Sequence, residues 1–151
     1  MSIRFPLTVV KSITNTRTAA GTDNYAFFVP QDLDSLVVKL YTGTFTGTSP
    51  TIDVYVQTTD DGGTTWYDVA HFAQATAAIP KQLAEWVTIP VNSNIKSVPS
   101  TSGTSQLGAS LISTVPLLSK EVNIAVKIGG TQVVNAGTEI RVYANSQSRA
   151  A

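Results

Sequence analysis

The amino-acid sequence predicts an all-β protein with antiparallel sheets. Three observations carry this prediction: apolar residues recur at every second position, glycine-rich segments separate the apolar runs, and no window keeps a helical period. Alternation with period two puts apolar side chains on one face of a strand and polar side chains on the other, as in antiparallel sheets with one buried face. Only residues 73–84 have a helical composition, and Pro80 interrupts them.

Nine runs along the chain are predicted to form strands. In chain order they are residues 7–13, 25–29, 35–42, 52–57, 66–72, 85–91, 107–113, 121–128 and 138–144. The runs at 52–57, 121–128 and 138–144 alternate strictly, and the others are rich in β-branched and aromatic residues, which suit a pleated surface. Tyr55 alternates with the apolar residues of its run, so we expect its ring to face outward.

Turn signals separate these runs. They lie at Gly43 and at residues 47–50, 61–63, 129–130 and 135–137. Many short strands with glycine-rich connections predict one antiparallel β-sandwich domain, jelly-roll-like, spanning residues 1–151. We expect this domain to have a polar N-terminal segment, a Ser/Thr-rich arm or loop at residues 92–106 and a polar C-terminal tail.

The composition limits the chemistry available to the protein. At 151 residues the chain has the usual length of one domain. Charged residues make up 13% of it, and ten basic and ten acidic side chains cancel, without the basic cluster that nucleic-acid binding needs. The lack of cysteine excludes disulfides, thiol nucleophiles and cysteine-ligated metals. We therefore expect no nucleic-acid partner and no cofactor.

The sequence also predicts neither export by a cleaved signal peptide nor insertion into a membrane. The apolar run near the N-terminus is broken by Pro6 and ended by Lys11, so it is too short for the apolar region of a signal peptide. No segment approaches the ~18 consecutive apolar residues of a membrane-spanning helix.

The segment TTDDGGTTWYD, residues 58–68, lies between two predicted strands. Asp61 is placed to accept backbone N–H groups, Gly62 and Gly63 permit positive φ, and Trp66 can fold back beneath the connection. We predict that these four residues form a structural turn. A calcium site is the alternative, but the loop lacks the alternating oxygen ligands and the closing glutamate of an EF-hand. The spacing resembles the Asp-box hairpin of sialidase-type β-propellers, but it occurs once, so the repeat of a propeller is absent.

Catalytic chemistry is not indicated by the sequence. His71 is the only histidine and has no serine or carboxylate at a recognised motif spacing, so we expect a structural imidazole rather than a general base. Glu85, Glu121 and Glu139 lie on predicted strands. Two of them would form a glycosidase pair if the fold brought them together, and solvated strand faces explain them equally. We expect a protein that is not an enzyme.

Four aromatic residues have two interpretations. Tyr55, Trp66, Tyr67 and Trp86 would form a sugar-stacking platform if several of them shared one exposed face. Alternatively, the two tryptophans are core anchors, each with one N–H group to satisfy.

Residues 50–72, PTIDVYVQTTDDGGTTWYDVAHF, resemble a segment of small virion structural proteins of tailed bacteriophages. The resemblance extends more loosely to residues 35–50 and 123–144, and it does not include residues 92–119. Among phage proteins of this size, the chain is most similar to the decoration or cement proteins of the capsid.

The resemblance implies a non-enzymatic structural protein located at the capsid surface of the virion and made in the host cytoplasm. Its partners would be the major capsid protein and further copies of itself, as a homotrimer, and it would clamp neighbouring capsid subunits against internal DNA pressure. A tail or fibre-associated adhesin, or a carbohydrate-binding β-sandwich module, is the alternative that the sequence leaves open.

The polar arm at residues 92–106 generates a first testable prediction. An arm of this composition cannot bury enough apolar area to order itself, so we expect contact with other chains to order it and at least one terminus. Deleting the arm should weaken attachment to the capsid more than it lowers the free energy of unfolding. Binding to heads and urea unfolding of the same variant measure the two effects, and full binding by the deletion variant would contradict the prediction.

Overall fold

The fold is taken from a computed structural model of the chain, which describes residues 8–30, 35–76, 85–90, 117, 119–135 and 137–145. These residues form nine strands and no helix: β1 (Thr8–Asn15), β2 (Gly21–Phe28), β3 (Ser35–Thr42), β4 (Phe45–Thr58), β5 (Tyr67–His71), β6 (Ala75–Thr76), β7 (Glu85–Pro90), β8 (Glu121–Asn135) and β9 (Thr138–Asn145). Every strand pairing is antiparallel. The prediction of an all-β protein with antiparallel sheets is confirmed.

Eight of the nine predicted strands are present. The predicted strand at residues 107–113 lies outside the described residues, as do the arm at 92–106 and both termini. The two-residue strand β6 was not predicted, and it occupies part of the window with helical composition. The remainder of that window, residues 77–84, is also outside the described part of the chain.

The strands are arranged in two sheets. The four-stranded sheet has the order β1-β9-β3-β7, and the five-stranded sheet has the order β2-β8-β4-β5, with β6 also paired to β4. The chain therefore passes from one sheet to the other after β1, β2, β3, β6, β7 and β8. The neighbours of β8 and β9 come from much earlier in the sequence, so nearly all sheet contacts are long-range.

Two long segments of the chain, residues 35–58 and 121–145, pair with each other through both sheets. β3 pairs with β9 in the four-stranded sheet, and β4 pairs with β8 in the five-stranded sheet. The two segments cross between the sheets side by side, where the N–H of Gly43 donates to the carbonyl oxygen of Gly137 at 2.9 Å. The register on the two sides of this crossing is the same, so the pairing continues from one sheet into the other.

Gly129 and Gly130 lie inside β8, so the prediction of a turn at this position is wrong. The predicted turn at residues 47–50 is likewise wrong, because that segment lies inside β4. The register between the two strands shifts here and then returns. A Cβ atom on Gly130 would meet the carbonyl oxygen of Ser49, and one on Gly129 would meet the hydroxyl of Thr51. The glycines allow a close backbone approach at a bulge rather than a reversal of the chain.

Both sheets contribute apolar side chains to a single hydrophobic cluster. Val38 and Ile140 from the four-stranded sheet, and Val56 and Ile124 from the five-stranded sheet, are fully buried in it. Burying an aliphatic side chain of this size stabilises a fold by roughly 1.5–3 kcal/mol. The inward-facing sets that alternation predicted for β4, β8 and β9 are all buried, so the strict alternation identified the core correctly.

A polar contact joins β1 and β2, which are edge strands on the same side of the molecule. The Arg17 guanidinium donates to the two carboxylate oxygens of Asp23 at 3.0 and 2.8 Å. Asn15 Nδ2 donates to Asp23 Oδ2 at 2.8 Å and to the Tyr25 hydroxyl at 3.0 Å. The hydrogen bond from Arg17, and after it that from Asn15, lowers the pKa of Asp23 against the opposing effect of burial. Asp23 thereby holds β2 to the end of β1 and to the connection between the two strands, and its contact with Arg17 is bidentate.

The bulge generates a second prediction: Gly130→Ala should destabilise the fold much more than Gly62→Ala. Both glycines have positive φ, 69° and 73°, which costs a non-glycine residue roughly 1–3 kcal/mol. An added Cβ on Gly62, in the connection between β4 and β5, meets nothing within 4 Å. On Gly130 it overlaps the backbone carbonyl oxygens of Ser49 and Thr48.

The two variants share the backbone strain, so the difference between their free energies of unfolding isolates the packing at the bulge. Urea unfolding measures both variants. Equal losses in the free energy of unfolding would contradict the prediction, because they would mean that β4 and β8 can move apart at the bulge without destabilising the fold.

Candidate functional site

The connection between β4 and β5 is held by hydrogen bonds within its own residues. The Thr59 hydroxyl donates to Asp61 Oδ1 at 2.8 Å and accepts the N–H of Gly63 at 3.0 Å. Asp61 Oδ1 also accepts the N–H groups of Thr64 and Thr65, at 3.0 and 2.8 Å. One carboxylate oxygen and one hydroxyl thereby organise the whole loop, as side chains of this type do in turns.

The other predicted turn residues lie in the same connection. Gly62 and Gly63 have φ of 73° and 93°. A Cβ atom on Gly63 would lie 3.4 Å from Trp66 Cζ2 and 3.3 Å from Glu121 Oε1. A larger side chain at Gly63 would therefore press against both the half-buried tryptophan ring and the first residue of β8.

The hydrogen bonds of the turn lower the pKa of Asp61 to about 2. The backbone N–H of Thr65 has the largest effect, followed by the side chains of Thr65 and Thr59. The carboxylate is therefore ionised at neutral pH, and its Oδ1 already serves the turn. Among the residues that the structure describes, no three His, Cys, Asp or Glu side chains are grouped closely enough to hold a metal ion.

The outer face of the five-stranded sheet is polar and buried, which the sequence did not predict. Five side chains on this face are at most 6% exposed: Asp53, Gln57, Asp68, His71 and Asn123. Tyr55 lies on the same face, as its alternation predicted, but it is also buried rather than presented to solvent. The expectation that each strand buries only one of its faces is therefore wrong for the centre of this sheet.

His71 belongs to a small cluster at one end of this polar face. Its Nε2 lies 3.2 Å from Asp53 Oδ1, and Gln74 Nε2 donates to Asp53 Oδ2 at 2.9 Å. The imidazole stacks on the ring of Tyr55, with 4.1 Å between the centroids. Within the described part of the chain, His71 Nδ1 has no hydrogen-bond partner. The contacts orient the imidazole on both its edge and its face.

A row of hydrogen-bonded side chains, three amides and one carboxylate, crosses four strands beside this cluster. Gln57 Nε2 donates to Asp68 Oδ1 at 2.8 Å, and Asn123 Nδ2 donates to Gln57 Oε1 at 2.8 Å and to Asn24 Oδ1 at 2.9 Å. Asp68 Oδ2 and Asn123 Oδ1 have no partner among the described residues. Buried unpaired acceptors cost free energy, so the row is a polar layer that is only partly satisfied.

The acids identified from the sequence are divided between the two sheets. Glu121 begins β8 in the five-stranded sheet, whereas Glu139 lies exposed on β9 of the four-stranded sheet. Glu85 begins β7, also in the four-stranded sheet, and its side chain lies outside the described residues. The topology therefore excludes a glycosidase pair made by Glu121 and Glu139, because their strands belong to different sheets.

The proposed aromatic platform is also divided. Tyr55, Trp66 and Tyr67 belong to the five-stranded sheet and its turn, whereas Trp86 belongs to β7 of the other sheet. Tyr55 is buried, and Trp66 and Tyr67 are half-buried. The side chain of Trp86 lies outside the described residues. The four aromatics therefore do not share one exposed face.

Three large apolar side chains of the described residues are exposed to solvent: Phe28 at 75%, Val9 at 52% and Tyr41 at 38%. Phe28 and Val9 lie on β2 and β1, the edge strands joined by the hydrogen bond from Asn15 to Asp23. Exposed apolar side chains on neighbouring edge strands are typical of surfaces that meet other chains.

Comparison with known proteins identifies no relative: no protein-family model, no curated protein and no solved structure matches this chain. No helix in the described part of the chain is long and apolar enough to span a membrane. The function has to be argued from the fold and its surfaces.

The turn generates a third prediction: Asp61→Asn should lower the melting temperature, and Asp60→Asn should leave it nearly unchanged. Each variant removes one negative charge. The hydrogen bonds of the turn use the Asp61 carboxylate, whereas Asp60 is exposed and takes part in none of those between residues 59 and 65.

The effect should depend on pH. The folded-state pKa of Asp61 lies below the ordinary value of 3.8, so its contribution to stability is present above that value and is lost as the pH falls through about 2. The difference in melting temperature between wild type and Asp61→Asn should shrink over the same interval. Thermal unfolding followed by circular dichroism measures it, and a constant difference would mean that the ionised carboxylate does not hold the turn.

Proposed function

We propose that the protein is a structural component of a bacteriophage virion, a decoration or cement protein that binds the outside of the capsid. The observation that carries the proposal is the order in which the strands pair. This role requires a stable shape and contact surfaces, and it needs neither a catalytic group nor a cofactor.

The pairing supports a β-sandwich of the jelly-roll type. With β6 set aside, the eight remaining strands pair as a nested ribbon: first with eighth, second with seventh, third with sixth and fourth with fifth. Rolling up such a ribbon brings the eighth strand beside the third and the seventh beside the fourth, and both pairings are present. Jelly rolls of eight strands are used by viral capsid and lectin domains.

The surface supports close packing against other chains. Ten basic and ten acidic side chains cancel, so many copies on one shell would not repel one another over the roughly 8–10 Å Debye length of ordinary buffers. The exposed Phe28 and Val9 lie on adjacent edge strands, where apolar contact with a second chain is accessible. We propose this edge as part of the contact with the major capsid protein or with the other subunits of a homotrimer.

The contribution of such a protein to the capsid is mechanical. In a closed ring of three copies, each weak contact is repeated at symmetry-related positions, and the contacts add through their high effective concentration. Three small contact areas on neighbouring capsid subunits are then enough to attach the trimer tightly to the capsid. Attachment should depend on buried apolar and hydrogen-bonded area, and it should change little with salt.

A tail or fibre-associated adhesin, or a carbohydrate-binding module, is the second candidate function. It is favoured by one observation, an open depression of about 220 Å³ on the outer face of the four-stranded sheet. A cement protein would be present in many copies on each head, whereas an adhesin would be rare and located at the tail.

The fourth prediction concerns heads assembled without the protein. Adding purified protein should raise the temperature at which the heads release DNA. Phe28→Ser should weaken this effect with little change in melting temperature, because the ring is mostly exposed. Thr22→Ala, also on the exposed face of β2, is the matched control and should behave as wild type. An unchanged release temperature, or only a few copies per particle at the tail, would favour the adhesin.

A further inference from the structure

The depression on the outer face of the four-stranded sheet is lined by four polar or charged side chains: Lys39, Tyr41, Glu139 and Arg141. They alternate with the buried residues of β3 and β9, so all four point away from the core. Both strands have a neighbour on each side in this sheet. The four side chains therefore lie on strands whose backbones are paired on both sides.

Two cations face each other in this depression. Lys39 and Arg141 are direct cross-strand partners, and like charges in that position destabilise a sheet. Neither forms an ion pair with a carboxylate of the described residues, including the neighbouring Glu139. Two opposed cations that have no carboxylate partner among the described residues form a site for an anion supplied by a ligand, and their opposition costs stability.

The second half of the depression has different chemistry. Tyr41 and Glu139 are the next outward-facing pair along the same two strands, two residues from the cations and therefore ~7 Å away along the strand. The exposed tyrosine ring offers a flat apolar surface, and the carboxylate offers acceptors for hydroxyl groups. A ligand that uses both halves has an anionic group at one end and a hydroxylated ring at the other.

We propose that this depression binds an acidic sugar, a single pyranose ring that carries a carboxylate, as uronic acids do. The Lys39 ammonium and the Arg141 guanidinium bind the carboxylate, the Tyr41 ring packs against the apolar face of the sugar, and Glu139 accepts its hydroxyl groups. The two cations and one carboxylate leave one positive charge, which matches a monoanion better than a phosphate dianion. The volume lies below the roughly 300–1,000 Å³ of drug-sized ligand sites, which suits one ring.

The site does not depend on the proposed capsid role, because it involves no capsid partner; it rests on the depression that favours the carbohydrate-binding candidate and names the ligand class of that site. The exposed edge with Val9 and Phe28 and the depression use different residues. A decoration protein could therefore attach to the capsid through one surface and hold a sugar on the other.

Calorimetric titration with D-glucuronic acid tests the proposal, with D-glucose and acetate as the comparison ligands. Glucuronate should bind more tightly than either, because only glucuronate occupies both halves of the site. Lys39→Gln and Arg141→Gln should each weaken its binding by roughly tenfold or more. Lys127→Gln, which removes an exposed lysine of the other sheet, is the matched control and should bind as wild type.

Two further measurements separate loss of the site from loss of the fold. The melting temperature of Arg141→Gln should be equal to or above that of wild type, because the variant relieves the repulsion between opposed cations. Glu139→Gln should bind acetate more tightly than wild type, because a like charge beside the carboxylate is removed.

Several results would overturn the proposal. They are absence of glucuronate binding, binding that both cation variants leave intact, and equal affinity for glucuronate and acetate. Binding of an acidic peptide at this depression in place of the sugar would also overturn it, and would make the depression a protein contact.

Discussion

The antiparallel register between residues 35–58 and 121–145 is the constraint on which the rest of the structure depends. These two segments supply β3, β4, β8 and β9, and every other strand attaches to one of them. A slip of one residue would turn the apolar set of each strand outward and bring the opposite set into the core. The bulge beside Gly129 and Gly130 leaves this register intact because the shift it introduces is reversed within a few residues.

The same register produces two outer faces of different character. On the five-stranded sheet it sets Gln57 opposite Asn123, and the pairing of β4 with β5 adds Asp68 to this buried row of hydrogen-bonded side chains. On the four-stranded sheet it sets Lys39 opposite Arg141, where both remain accessible. One face is polar and buried, and the other is charged and open to solvent.

Local chemistry made part of the structure predictable. The turn around Asp61 could be recognised because all of its hydrogen bonds join residues 59–65, so the sequence contains both partners of each contact. The strands could be recognised because alternation is a property of each run alone. The core side of β4, β8 and β9 followed from the same alternation.

Other features depend on contacts between distant residues, and the sequence carries no local signal for them. Glycines at the bulge and at a turn look alike in a sequence, which is why residues 129–130 were assigned to a turn. Alternation predicted that Tyr55 faces away from the core, but it does not report whether that face is covered. The contact between His71 and Asp53 and the opposition of Lys39 and Arg141 follow from strand pairing alone.

The position of β8 and β9 between strands made much earlier has a consequence for synthesis. β1 and β2 each have a single strand neighbour, and both neighbours come from residues 121–145. More than 90 residues separate the end of β2 from the start of β8, so at a translation rate of about 5–20 residues per second the first two strands wait several seconds on the ribosome without a partner. During that interval their free backbone groups and the aromatic side chains of β2 are open to pairing with another nascent chain on the same messenger RNA.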